Sequence, residues 1–287
     1  MAGVVALRAA VVAVSVEPGS TAGSNRLSIL GVPLHAIGPE QARAALRAFL
    51  AGPWDGQCRH VVTLNPEYVM AAGENAAFAH AIAGADLITA DGVGVVLAAR
   101  VLGGKGGRRV SRVTGVDIVE WLAAESGPLS APLYLLGGGP GVAEEAAERL
   151  RVQWPAARIA GLWSEGTAAA EDDKRTLARI HGSGCRALAV AYGAPGQVIW
   201  IERNQRDLAE AGVRVAIGVG GVLDFLAGTA PRAPLVVRRV GLEWLYRLIR
   251  QPWRWRRQAV LPVFGLRVLL ERLWRRGNRA GKIARQK

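Results

Sequence analysis

Short apolar runs recur along the first 220 positions, and most of them stop at Gly, Asn or Asp. Leu27–Leu30, His60–Leu64, Leu87–Ala90, Pro132–Leu136, Ile159–Trp163, Ala187–Tyr192 and Val213–Val219 have strand length and few polar interruptions. Between them, apolar residues spaced by three and four predict helices over Pro39–Leu50, Pro66–Ala83, Val93–Leu102, Val116–Glu125, Val142–Gln153, Glu171–His181 and Gln197–Ala211. Nearly continuous apolar strands alternating with amphipathic helices predict an α/β fold: a parallel, Rossmann-like sheet covered by helices on both faces. Ligands of such sheets bind beyond the carboxyl ends of the strands. That rule singles out the loops Asn65–Glu67, Asp91–Gly94, Gly137–Gly141, Gly193–Gln197 and Gly220–Asp224.

After Pro231 the pattern changes. Val236–Lys287 reads as two or three helices broken at Pro252 and Pro262, with Trp244, Trp253, Trp255 and Trp274 among arginines. Charge respects the same boundary. From Arg232 to Lys287 there are 16 Lys or Arg against two acids, Glu243 and Glu271, whereas residues 1–231 hold 20 basic and 21 acidic groups. The net +13 therefore belongs to the tail, and a basic segment seeks phosphate in nucleic acid, anionic lipid or a nucleotide diphosphate. Residues 4–16 are apolar but short and interrupted by Arg8, so residues 1–25 are expected to be a disordered, dispensable leader. Ala259–Leu270, about twelve residues, is too short to span a bilayer. The expected organisation is thus leader 1–25, α/β core 26–231 and basic helical appendage 232–287.

The candidate chemistry sits in the loops. Gly137 and Gly138 open a Gly-rich turn between strand and helix, which suits either a tight turn or a nucleotide contact. No ribose-binding acid ends the next strand, so a dinucleotide site is not expected. Thr63 and Asn65 stand at a strand end, where Asn65 either caps a helix behind Pro66 or bonds a sugar. Asp91 is the most loaded position. As a helix cap it needs no further reason, but Gly92 and Gly94 keep bulk away from it, and an Asp at a strand end is a suitable general base for a hydroxyl. Cys58 and Cys185 give no metal spacing or disulfide framework, the four histidines do not cluster, and no metal or cofactor is expected. Without a metal, phosphate chemistry needs cationic side chains, and the tail supplies Arg232, Arg238, Arg239, Arg247, Arg250, Arg254, Arg256 and Arg257.

Assembled in order, these pieces resemble the WecB/TagA/CpsF family of bacterial glycosyltransferases from about Leu27 to Arg257. The resemblance rests on T-L-N-P at 63–66, A-D-L-I-T-A-D-G at 85–92 and the strand and Gly loop at 132–141. It continues through G-A-P-G-Q-V-I-W-I at 193–201, G-V-G-G-V-L-D-F-L-A-G at 218–228 and R-A-P at 232–234. The run G-L-E-W-L-Y-R-L-I-R-Q-P-W-R at 241–254 is the most specific. The resemblance implies an inverting, metal-independent transfer from a UDP-sugar to a polyprenyl-diphosphate-linked saccharide in cell-surface polysaccharide synthesis. The donors it brings into view are N-acetylmannosamine, its uronic acid, glucose and glucuronic acid. It further implies Asp91 as base and Arg232, Arg247, Arg254 and Arg257 as holders of the diphosphate; Thr63, Asn65, Gly92, Gly137, Gly138, Gln197 and Asp224, in or beside the loops past the strand ends, are expected around the substrates.

The appendage is then expected to close over UDP and to rest on anionic lipid at the inner face of the cell membrane, since interleaved Trp and Arg suit an interfacial helix. A homo-oligomer stays open. The sequence departs from the family at Gly196 and Val198, where Lys and Glu are usual, and this departure motivates an alternative reading as a catalytically impaired nucleotide-sugar binder. The basic tail alone motivates a nucleic-acid-binding protein, and the near-neutral core argues against it.

Overall fold

In the computed structural model, residues 26–230, 233, 234, 236, 237, 243–250 and 255–284 are described, the side chains of 247, 256, 257 and 279–284 excepted. The chain enters through an antiparallel hairpin of β1 (Arg26–Ile29) and β2 (Val32–His35). Its two-residue turn, Leu30–Gly31, has positive φ at both positions, the backbone twist that tight hairpins require. The apolar pattern locates β1 but misses β2, a four-residue strand that contains Pro33.

After α1 (Pro39–Ala51) the order is β3 (Arg59–Leu64), α2 (Pro66–Ala72), α3 (Ala76–Gly84), β4 (Leu87–Ala90), α4 (Val93–Leu102), α5 (Gly104–Gly107) and α6 (Gly115–Ser126). Then come β5 (Leu133–Gly137), α7 (Val142–Gln153), β6 (Ile159–Trp163), α8 (Asp173–His181), β7 (Ala187–Ala191), α9 (Gly196–Arg203), α10 (Gln205–Glu210), β8 (Val215–Gly218) and α11 (Val222–Leu226). Strands β3 to β8 form one parallel six-stranded sheet in the order β4-β3-β8-β7-β5-β6.

Side chains alternate across each strand, so two apolar sets face opposite ways. Val61, Leu87, Leu135, Ala189 and Ile217 pack against α1, α6, α7 and α11. Val62, Leu64 and Ile88 meet α2, α3 and α4, while Leu136, Leu188, Val190 and Ala216 meet α8, α9 and α10. The α/β architecture is the one the pattern predicts.

Two long helices come out divided. Pro66–Ala83 breaks at Gly73–Asn75 because Asn75 starts a new helix, accepting from Phe78 N at 3.0 Å. Gln197–Ala211 breaks at Asn204, whose side chain donates back to Trp200 O at 2.9 Å. In the C-terminal region α12 (Glu243–Arg250) and α13 (Trp255–Gln258) precede α14 (Val260–Ala284). Pro262 does not break a helix, contrary to the pattern. It lies in the first turn of α14, where a missing N–H costs nothing; Pro252 lies outside the described residues. Phe264 and Val268 of α14 are buried in the cluster with α2 and α4, and Arg275 donates to Leu102 O at 3.1 Å.

Candidate active site

The loops that converge on one cleft follow from sheet order. β3 leads through α2 and α3 to its neighbour β4, whereas the chain reaches β8 from β7 on the other side, so a crevice opens beyond the carboxyl ends of β3 and β8. A cleft of about 680 Å³ lies there, a volume suited to a small-molecule ligand. It is lined by Thr63, Asn65, Asp91, Gln197 and Asp224, five of the positions the sequence singles out.

Asn65 is the N-cap of α2, its side chain accepting from Tyr68 N at 2.9 Å, with Pro66 in the first helical position. The capping role is therefore present, and the residue also lines the cleft. Gln197 is buried and ties two loops to a helix. Its Oε1 accepts from Gly193 N at 3.1 Å and Gly220 N at 2.8 Å, and its Nε2 donates to Tyr68 Oη at 2.8 Å. Those bonds hold the ends of β7 and β8 and helix α2 in register, which makes Gln197 a frame for the cleft.

Asp91 follows β4 directly, and its N–H donates to Leu64 O at 2.7 Å, which extends the ladder and fixes its backbone. The N-cap of α4 is Gly92, at φ 100°, so the helix-cap position expected for Asp91 belongs to its neighbour. Asp91 instead presents a carboxylate that is 29% exposed at the cleft wall. Gly92 itself is not among the lining residues. Nor does Gly94 leave room for a ligand: a Cβ there would come 2.9 Å from Pro66 Cγ, so its smallness lets α4 pack on α2.

Gly137 and Gly138 both have positive φ, and a Cβ on Gly137 would meet the Ala191 backbone at 2.9 Å. Gly137 ends β5 and Gly138 leads into the turn closed by Val142 N donating to Gly139 O at 3.1 Å, and neither is among the residues lining the cleft. Of the expected diphosphate holders, Arg232 and Arg254 lie outside the described residues, as do the side chains of Arg247 and Arg257. Arg250 is described; it lines the cleft and its guanidinium lies 5.7 Å from the Tyr246 ring centroid.

Sequence reasoning missed Arg112. The segment before α6 returns alongside β4: Val113 N donates to Ala90 O at 2.9 Å, and Thr89 Oγ1 donates to Val113 O at 3.2 Å. Thr114 then starts α6 with a capping box closed by Asp117. Together these bonds hold Arg112 beside Asp91. The signal was available in S-R-V-T-G-V-D, where a Thr-x-x-Asp start puts the arginine two residues before the N-cap of a helix, in the loop layer.

Arg112 Nη2 donates to Glu243 Oε2 at 2.5 Å and lies 4.0 Å from Asp91 Oδ1. Burial works against its charge, but the Glu243 bond and the carboxylates of Asp91, Glu243 and Asp117 outweigh it and hold its pKa above the usual arginine value. The wall thus carries a partly buried carboxylate beside a permanent cation, an arrangement able to take a proton from a hydroxyl.

Gly196 and Val198 are not among the lining residues. Gly196 lies where a Cβ would come 2.9 Å from Ala168 Cβ, and Val198 is fully buried among the apolar side chains of α2, α3 and α4. The departures from the resembled family are therefore packing positions. A family model described as "Glycosyl transferase WecG/TagA/CpsF family" matches residues 27–278.

Proposed function

The chain belongs to the WecG/TagA/CpsF family of glycosyltransferases, and from that premise we propose that it transfers a sugar from a UDP-sugar to a polyprenyl-diphosphate-linked saccharide during cell-surface polysaccharide synthesis. The observation that carries the reading is Asp91 just past the carboxyl end of β4, lining the cleft and 4.0 Å from Arg112.

In this reading Asp91 Oδ accepts the proton of the acceptor hydroxyl as the oxygen attacks the anomeric carbon. The bond from that carbon to the UDP oxygen breaks on the opposite side, so configuration inverts. Departing UDP accumulates negative charge, which a cation can stabilise in a site shielded from water. Arg250 on α12 is the described candidate, and the expectation that Arg232, Arg247, Arg254 and Arg257 share this task stands as part of the proposal. No step of the scheme calls for a metal. Asn65 and Asp224 contact the sugars, and Gln197 keeps the loops that bear them in place.

The C-terminal helices support a place at a membrane surface. Helix α14 buries Phe264 and Val268, yet Leu266, Leu269, Leu270, Leu273 and Trp274 are all more than half exposed, with Arg267, Arg272, Arg275 and Arg276 interspersed. No helix among the described residues is long and apolar enough to cross a membrane. An amphipathic helix of this composition lies in the interface of anionic lipid, where a polyprenyl acceptor is anchored.

The test is UDP release over a panel of UDP-sugars with a short-chain lipid-linked saccharide acceptor, alongside sedimentation with anionic vesicles. Acceptor-dependent release by the wild type, with UDP bound by calorimetry, is the expected result. UDP binding without release in any combination would identify an impaired homologue instead.

A further inference from the structure

We propose that the N-terminus of α6, together with the Thr63 hydroxyl, is a subsite for an anionic oxygen group of the UDP-sugar, either a phosphate or a carboxylate on the sugar. The proposal rests on the reading of the chain as a UDP-sugar transferase. It starts from two threonines. Thr63 on β3 and Thr89 on β4 stand opposite each other in the sheet register. Two residues earlier on the same strands, Val61 and Leu87 pack on the α6 side, so both threonines point that way. Both are buried, Thr63 at 6% exposure and Thr89 at 1%. Thr89 Oγ1 donates to Val113 O at 3.2 Å, whereas the Thr63 hydroxyl has no hydrogen-bond partner among the described residues. A buried hydroxyl without a partner costs stability. Thr63 lines the cleft, where a ligand can supply that partner.

Helix α6 begins beside that hydroxyl. A Cβ on Gly115 would lie 3.8 Å from Thr63 Oγ1 and 3.0 Å from Val222 Cγ2, so the missing side chain leaves the first turn bare on this side. Thr114, Gly115 and Val116 all line the cleft. The first N–H groups of a helix have no carbonyl within it to bond. Here Thr114 takes care of two of them: Asp117 N donates to its Oγ1 at 3.2 Å and Ile118 N to its carbonyl at 3.1 Å. The N–H groups of Gly115 and Val116 have no partner among the described residues. Two backbone donors and one buried hydroxyl therefore meet at one wall of the cleft with nothing in the fold to donate to.

Three donors at the positive end of a helix suit an oxygen group with charge and several lone pairs. The charged neighbours leave room for it. Arg112, two residues before the N-cap, is held cationic by the carboxylates around it, of which Asp91 and Glu243 line the same cleft. The Asp117 carboxylate accepts from the Thr114 N–H and hydroxyl, both at 2.8 Å, so it closes the helix cap. A phosphate of the diphosphate and the carboxylate of a uronic acid share the chemistry this wall recognises, and they differ in which ligands carry them.

The experiment is calorimetry on the full-length protein with uridine, UMP, UDP, UDP-glucose and UDP-glucuronic acid. Thr63→Val removes the hydroxyl at nearly constant shape, and Gly115→Ala puts a methyl over the donors. If the group is a phosphate, each variant should bind UDP about tenfold more weakly, with uridine unaffected. If it is the sugar carboxylate, a loss of the same size should appear with UDP-glucuronic acid, and UDP and UDP-glucose should bind as before. Thermal unfolding adds a readout that a structural threonine would not give. Thr63→Val should melt at or above the wild-type temperature, because no bond is lost, whereas Thr89→Val should melt lower. Unchanged affinity for every charged ligand, or a loss that extends equally to uridine, would overturn the proposal alone. A wild-type protein that binds neither UDP nor any UDP-sugar would overturn the functional reading beneath it as well.

Discussion

Strand β4 carries an aspartate at each end, and the two have opposite fates. Asp86, just before the amino end, accepts from His60 N at 2.8 Å and sits 3.3 Å from Arg59, so its charge is spent on the fold. Asp91, just past the carboxyl end, meets a cleft and a cation that is bonded to another residue. Four residues of strand separate identical side chains. The difference comes from the polarity of a parallel sheet, whose carboxyl ends open into loops spread by diverging crossovers.

The largest effect should separate the two ends outright. Asp91→Asn keeps shape and removes the proposed base, so transfer should fall by about 10²–10⁴-fold while the unfolding midpoint stays near wild type. A rate assay paired with thermal unfolding checks both halves. Equal losses of rate for Asp91→Asn and Asp86→Asn, after correction for folded fraction, would erase the distinction.

This polarity is why Asp91 was legible in the sequence. A short apolar run closed by Asp-Gly and followed by a helical pattern places its last residue in the ligand layer. Arg112 was not legible as its partner, because its position depends on Val113 bonding back to Ala90, a pairing between segments whose spacing carries no periodic signal. Glu243 was further out of reach: it joins Arg112 across 131 residues of chain. The sheet itself was plain, since a short, nearly continuous apolar run marks each of its six strands, but the break at Asn75 was hidden because apolar spacing runs on through it. Gly94 misled for a related reason. A small residue beside a candidate base looks like space for a ligand, and only the packing of α4 on α2 shows that Pro66 fills it.

Acid should act on the structural part of the molecule first. His35 Nδ1 accepts from Ile88 N in the edge strand β4, and burial with the nearby Arg26 charge lowers its pKa to about 4. Burial lowers that of His60 to about 3. Both folded values lie below the unfolded value of 6.5, so between those limits the unfolded chain binds more protons. Stability is full above about pH 6.5 and falls as pH drops through the window. The His35 contribution is roughly 3 kcal/mol once pH reaches its folded value. Denaturant titrations at pH 7 and pH 4.5 should show this loss, and His35→Gln should flatten the slope. A smaller effect is expected at the amino end of β4, where Asp86→Ala leaves the His60 N–H without its acceptor and should cost about 1–3 kcal/mol, with turnover per folded molecule unchanged.

The smallest effect sharpens the comparison most, because it asks whether everything near Asp91 is chemical. Gly94→Ala would place a methyl 2.9 Å from the Pro66 ring and 3.8 Å from Phe264, so α4 must shift by a few tenths of an ångström. Overpacking of this kind costs about 1 kcal/mol, partly offset by the helix preference of Ala over Gly. The Asp91 backbone stays anchored through its N–H to Leu64 O, so transfer should fall by no more than about threefold, in line with the lost stability. A drop of a hundredfold or more with an unchanged unfolding midpoint would mean that the methyl meets a substrate. Gly94 would then have to be moved from the packing side of the ledger to the cleft, and the boundary drawn along β4 would shift three residues into the helix.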